Sequence, residues 1–209
     1  SFGHWAGANS PGFAPDVTSY DYDAPINEYG QTTPKYFELR QMMQKYTQGK
    51  MPNVPKAAAP TMNVAKFTLD QYATIGSGID STATSVTPLT FEDMDLGWGM
   101  LYYATRLPRI GVPSVLTAQM HDYAQVFING RFIGKLDRVK GEGALVLPPV
   151  EEGDELEILV EGMGRVNFGQ AIKDYKGIVS DVVITAQTPQ METVFKPRQW
   201  NIATLSDSY

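Results

Sequence analysis

The sequence predicts a mainly β protein whose larger part is a sandwich or jelly roll. Three observations carry this. From Leu89 onward, short apolar strands recur about every ten residues with turn residues between them. Glu155–Glu161 alternates, with Leu156, Ile158 and Val160 on one side and Glu155, Glu157 and Glu161 on the other. That period of two marks a strand with one buried face. Asn129-Gly130 separates Tyr123–Ile128 from Arg131–Leu136, and this dipeptide accepts the positive φ of a two-residue hairpin turn at both positions.

Taken in order, residues 1–30 are rich in Gly, Pro, Asn and aromatics and read as loop with one short strand, Val17–Tyr22. Thr33–Gly49 reads as a helix: Thr33 suits the cap, Pro34 the first turn and Gly49 the stop. Tyr36, Leu39, Met43 and Tyr46 make one apolar stripe on it. The Pro/Ala run of residues 51–60 is a stiff linker and a domain boundary. Asn63–Leu69 reads as a first strand, and the Gly76–Thr87 region as loop.

The β pattern then sets in. Met100–Leu107, Val115–His121, the hairpin, and Ala144–Leu147 read as strands, and Glu151–Asp154 as an acidic solvated turn. Leu159 breaks the polar face of the alternating strand, which therefore meets apolar neighbours on both sides for part of its length. Ile178–Ala186 is apolar on both faces and belongs in the middle of a sandwich. Residues 187–209 show little pattern and read as a linker or tail.

Composition narrows the function. The 209 residues carry 17 basic and 23 acidic side chains, a net charge of −6. Lys and Arg are dispersed, which speaks against a nucleic-acid partner. No apolar run approaches a membrane span. Without cysteine there is no disulfide scaffold, cysteine nucleophile or cysteine-ligated metal. His4 and His121 are the only histidines, so neither a His-rich metal site nor a His-dependent triad is expected.

The residues leave several readings open. Asp21, Asp23 and Glu28, beside Tyr20 and Tyr22, form an acidic cluster. Turn-forming carboxylates explain it better than a glycosidase pair, which must face each other across the scissile bond. Trp98, Tyr102 and Tyr103 read as sandwich core before they read as a sugar-stacking platform. Arg165 and Asn167 either bond backbone locally or face a domain interface. The chain opens on Ser-Phe-Gly-His-Trp, without Met or a signal-peptide pattern, and reads as an interior piece of a longer protein or one whose leading part was removed.

Four blocks carry a resemblance. LVEGMGRVNFGQAIKDYKGIVSDVVI (Leu159–Ile184) resembles the characteristic segment of the first β-domain of glycoside hydrolase family 35, the β-galactosidases. FEDMDLGWGMLYYATRL (Phe91–Leu107) and MHDYAQVFINGRFIGKL (Met120–Leu136) resemble strands that open that domain, and VTSYDYDAPINEYG (Val17–Gly30) resembles the last barrel strand. The resemblance implies a remnant of a (β/α)8 barrel over 1–50, a linker over 51–60, a jelly-roll, galactose-binding-like domain over 61–186, and a tail over 187–209 toward an absent domain. The remnant would comprise a rim loop, the last strand and the last helix.

The resemblance also implies a retaining β-galactosidase without cofactor or metal. Its two catalytic glutamates come from earlier barrel strands, so none is expected here and this chain alone is expected to be inactive. Tyr22 is implied to line the galactose pocket, with Asp21 and Trp5 in lesser roles. The partners implied are a galactoside, and the missing barrel or another copy of the chain on helix 33–49. A periplasmic or secreted location is implied as well. A stand-alone jelly-roll carbohydrate-binding module remains the alternative.

Overall fold

The computed structural model describes residues 5–9, 12–15, 23–28, 30–54, 62–72, 74 and 78–205. The chain divides into two compact units, one built on Val17–Tyr72 and the other on Phe2–Asp16 with Ala73–Tyr209.

In the smaller unit, Ile26 and Thr32 form an antiparallel bridge. The Thr33 hydroxyl donates to the carbonyls of Ala24 (3.0 Å) and Pro25 (3.1 Å) instead of capping the helix that follows. Helix α1 (Pro34–Gln44) starts on Pro34, as expected, but stops five residues short of Gly49. Gly49 closes the turn beyond it at φ 79°, its N–H donating to Gln44 O (3.3 Å). The helix buries none of its residues, and Leu39, Met43 and Tyr46 of the stripe are exposed. The strand expected at Asn63–Leu69 does not form: Val64, Phe67 and Leu69 lie exposed in a segment without regular secondary structure. The strand expected at Val17–Tyr22 lies outside the described residues.

The larger unit contains β1 (Gly7–Asn9), β2 (Phe13–Ala14), β3 (Ile79–Ser85), β4 (Gly99–Arg106), β5 (Ser114–Thr117), β6 (Met120–His121), β7 (Tyr123–Ile128) and β8 (Arg131–Asp137). There follow β9 (Ala144–Leu147), β10 (Glu155–Gly162), β11 (Val166–Phe168), β12 (Gly177–Ile178), β13 (Val183–Gln187), β14 (Glu192–Phe195) and β15 (Trp200–Leu205). An antiparallel six-stranded sheet runs β3-β15-β4-β10-β7-β8, and a four-stranded one runs β14-β13-β5-β9. Short pairs complete it: β12 with β6, and β11-β1-β2, in which β1 lies parallel to β11.

The core is the set of inward positions of the two main sheets. Leu156, Ile158 and Val160 of β10 join Leu101 and Tyr103 of β4, Ala124 and Val126 of β7, Leu116 of β5 and Ile184 of β13. Tyr103 stands in the middle, edge-on to Trp200 at 6.4 Å between ring centroids. Its hydroxyl donates to Leu89 O (2.7 Å) and accepts the N–H of Ile178 (3.3 Å), so burial leaves it satisfied.

Several expectations change in the larger unit. Trp98 is 46% exposed and Trp200 is the core tryptophan, at 0%. Ile178–Ala186 is two short strands, because the chain leaves β6 at Ile178 and joins β5 at Val183. Thr- and Ser-rich residues 79–85, read as loop, are the edge strand β3, where an exposed strand needs no apolar alternation. The β-domain does not end at 186: β15 lies between β3 and β4 inside the larger sheet.

The hairpin is as expected, with Asn129 at φ 49° and Gly130 at φ 74°, the paired positive angles of a type I′ turn. Replacing Gly130 by Val should cost at least about 1 kcal/mol, because a β-branched residue resists that φ. Trp200→Ala should cost about 3–5 kcal/mol through lost burial and the cavity left behind, whereas Trp98→Ala should cost under about 1 kcal/mol. Urea unfolding of the three variants checks all of this, and equal losses for the two tryptophans would contradict the placement of Trp200.

Candidate functional site

The densest polar constellation is a cluster of charges inside the larger unit. Asp122, at the β6–β7 junction, is fully buried, and Lys176, just before β12, is 1% exposed. Asp122 is in step with Met120, Ala124, Val126 and Ile128, so the strand turns its carboxylate inward with the core residues. There it accepts hydrogen bonds from Lys176 Nζ (2.6 Å), Arg138 (2.8 Å) and the N–H of Met163 (3.1 Å). Asp174 is its counterpart. Arg138, in the 3-10 turn after β8, grips it with both terminal nitrogens (2.9 and 2.7 Å), and Lys176 Nζ stands 3.0 Å away. Two carboxylates and two cations thus balance, as buried charge requires.

Phe13 of β2 covers the two cations. The Arg138 guanidinium carbon lies 4.1 Å and Lys176 Nζ 4.5 Å from its ring centroid, within cation–π range. His121 closes one side, with Nδ1 2.7 Å from Tyr175 O and 3.5 Å from Asp174. Burial and the Arg138 charge pull the His121 pKa below its ordinary value, against the pull of the carboxylates. For Asp174, burial alone would raise the pKa, but the hydrogen bonds from Arg138 and Lys176 together with their charges hold it below the usual range. Every charged group here is engaged by another, so the cluster is built to hold segments together rather than to transfer protons.

A second site lies on the outer face of the six-stranded sheet, a cavity of about 330 Å³. Ile79, Tyr102, Phe127, Leu159 and Leu205 line it, with Glu157 and Gly130 at its polar side. Leu159 thus has apolar neighbours on the outer face, as its place in the alternation implied. Tyr102 donates to Glu157 Oε1 (2.6 Å), and the Gly130 N–H donates to the other carboxylate oxygen. Burial, and then the bond to Glu157, push the Tyr102 phenol pKa up. Glu157 is committed to pinning the hairpin tip, and Asn129 pins it again through the Glu155 N–H (2.9 Å) and Asp154 (2.8 Å).

The residues singled out from sequence scatter. Asp21 and Tyr22 lie outside the described residues. Trp5 is described and 58% exposed. Asp23 pairs with Lys35 at 3.0 Å, and Glu28 is exposed. Tyr102 and Tyr103 point to opposite faces of β4, so the three aromatics share no platform. Arg165 bonds the carbonyls of Gly97 and Leu96 (both 2.8 Å) and pairs with Glu92, the local reading. The Glu151–Asp154 turn is solvated, with Arg109 3.2 Å from Glu151. Sequence reasoning missed Phe13, Asp122, Arg138, Asp174 and Lys176. One signal was available: an Asp in the inward phase of an otherwise apolar strand.

Comparison with known proteins matches residues 88–197 to "Beta-galactosidase, first all-beta domain" and residues 1–46 to "Glycosyl hydrolases family 35". Human β-galactosidase is 37% identical over 93% of this chain, and the bovine enzyme 38% identical over 88%. The mouse β-galactosidase-1-like protein is 34% identical over 94%. The chain spans 30%, 29% and 31% of those three relatives.

Both depressed pKa values make the fold lose stability on acidification. His121 is held neutral in the fold, so its contribution is whole above the free imidazole value near ~6.5 and is lost as pH falls through its lower folded value. Asp174 contributes fully above about 4 and loses that contribution at still lower pH. Melting temperature followed from pH 8 to pH 3 should therefore decline in two stages, and His121→Gln should remove the first. A first stage of undiminished size in that variant would assign it elsewhere.

Proposed function

Because the chain belongs to glycosyl hydrolase family 35 and carries the first all-β domain of its β-galactosidases, we propose that it serves in a retaining β-galactosidase. The enzyme removes terminal, non-reducing β-galactosyl residues. One glutamate attacks the anomeric carbon while another protonates the departing oxygen, and water then releases galactose from the enzyme. In this reading both glutamates come from barrel strands outside these 209 residues. The segment around residues 1–30 forms part of the galactose-pocket rim. Tyr22 donates a hydrogen bond to a sugar hydroxyl, Asp21 supports it, and Trp5 offers a stacking face. The barrel covers the apolar stripe of α1.

One observation supports this most directly. Residues matched to the hydrolase family pair in a sheet with residues matched to the β-domain: Gly7 stands opposite Val166 and Ala8 opposite Phe168. A β-domain that grips such a segment acts as a buttress. Its own polar groups support the same role, since the cluster around Asp122 and the Tyr102–Glu157 pair are closed on themselves.

The 209-residue chain alone should not hydrolyse a nitrophenyl β-galactoside, whereas the enzyme containing it at the length of its relatives should. Tyrosine is no substitute for the missing nucleophile, since its phenol ionises near ~10. Turnover by the short chain that disappears on Asp23→Asn or Glu28→Gln would overturn the division of labour. Absence of turnover by the long enzyme would overturn the substrate assignment.

A further inference from the structure

The described N-terminal residues are held to the β-domain at two points joined by one continuous network. At the first, the Gly7 N–H donates to Arg165 O (3.0 Å), and Asn9 O accepts the N–H of Ala171 (3.3 Å). Ala6 beside it is buried. Gly7 is required by close approach: a Cβ there would stand 3.1 Å from Arg165 O and 3.3 Å from Ala14 O. At the second point, Phe13 lies across Arg138 and Lys176.

The two points are joined through side-chain and backbone contacts. Lys176 is fixed by Asp122 and Asp174, and its backbone N–H donates to Glu92 Oε2 (3.1 Å). The other oxygen of Glu92 pairs with Arg165, whose carbonyl holds Gly7. A chain of ion pairs and hydrogen bonds, with the Lys176 N–H as the link to Glu92, therefore runs from beneath Phe13 to the strand beside Gly7. Trp5, exposed, immediately precedes the anchored residues.

We propose that this network is a remote positioning device: Phe13, Arg138, Lys176, Glu92 and Arg165 set the place of the segment that bears Trp5, and through it the rim that receives the galactosyl group. The inference rests on the galactosidase reading above. These are positioning residues, since none is required to touch the sugar. Aromatic cover over desolvated cations restrains the segment without a covalent tie, and the two anchors lie on both sides of residues 10–11, so loss of either loosens the whole.

The test uses two variants that leave every ion pair intact, Phe13→Leu and Gly7→Ala. Arg138 and Lys176 are left alone, because unpairing a buried carboxylate endangers the fold. In the 209-residue chain, amide hydrogen exchange at position 7, relative to the intrinsic rate of the residue there, should become about tenfold faster in both variants, while the amides of β10 keep their wild-type rates. In the long enzyme, KM for a nitrophenyl β-galactoside should rise about tenfold with kcat within about twofold, the pattern of lost positioning rather than lost chemistry. Unchanged exchange at position 7 in both variants would overturn the anchoring. Faster exchange with unchanged KM would overturn the link to the rim. A wild-type long enzyme with no galactoside turnover would sink the galactosidase reading and the rim with it, while the exchange measurement still decides the anchoring.

Discussion

The charge balance around Asp122 constrains most of the larger unit. A carboxylate at 0% exposure and a lysine at 1% are tolerable only as partners with their remaining hydrogen bonds made. Those partners come from separate places in the chain: the β6–β7 junction, the turn after β8 and the loop before β12. Bringing them together fixes three connections that no ladder of a main sheet would fix. Lys176 then leads directly into Gly177, at φ 97°, where a Cβ would stand 2.4 Å from the Tyr103 hydroxyl. The ion cluster and the apolar core therefore meet back to back at this point.

The sandwich around the cluster follows from simple alternation. β10 is central because it pairs over most of its length with both β4 and β7, and its inward residues fill the space between the sheets. Its outward glutamates face solvent or neighbouring turns. Glu157 shows what such a residue does here: it joins Tyr102 of β4 to the hairpin tip between β7 and β8, crossing two ladders at once. A carboxylate held by two donors is a strut and a poor general base. Among the described residues, Glu157 and the cluster around Asp122 thus tie strands and turns of the β-domain to one another.

Much was legible in the sequence, for reasons that are local. The Asn129-Gly130 turn depends only on the φ preferences of two residues. The alternation of Leu156, Ile158 and Val160 depends only on strand geometry, and the start of α1 on Pro34. Errors arose where local pattern and tertiary setting part company. Trp98, next to two glycines in an aromatic block, reads as core, yet it lies where the chain enters β4, outside the packed layer. Trp200, among prolines and polar residues, reads as tail, yet the neighbouring strand β4 draws it into the sheet. Residues 79–85 show no apolar period because an edge strand is paid for by hydrogen bonds to β15 rather than by burial.

The sequence by itself determined the fold class, the hairpin, the central strand and the family, since each is encoded in contiguous residues. Only the tertiary structure decided which tryptophan is core, where the β-domain ends, and which charges gather. Asp122, Arg138 and Asp174 are far apart in the chain; the last two read alone as ordinary surface charges, and the inward phase of Asp122 does not name its partners. Folding brings them within hydrogen-bond reach in a largely buried place, and there the cost of burying any one of them is offset by the others. Phe13 belongs to the same class: a ring in a glycine-rich loop becomes an anchor only when two cations are assembled beneath it.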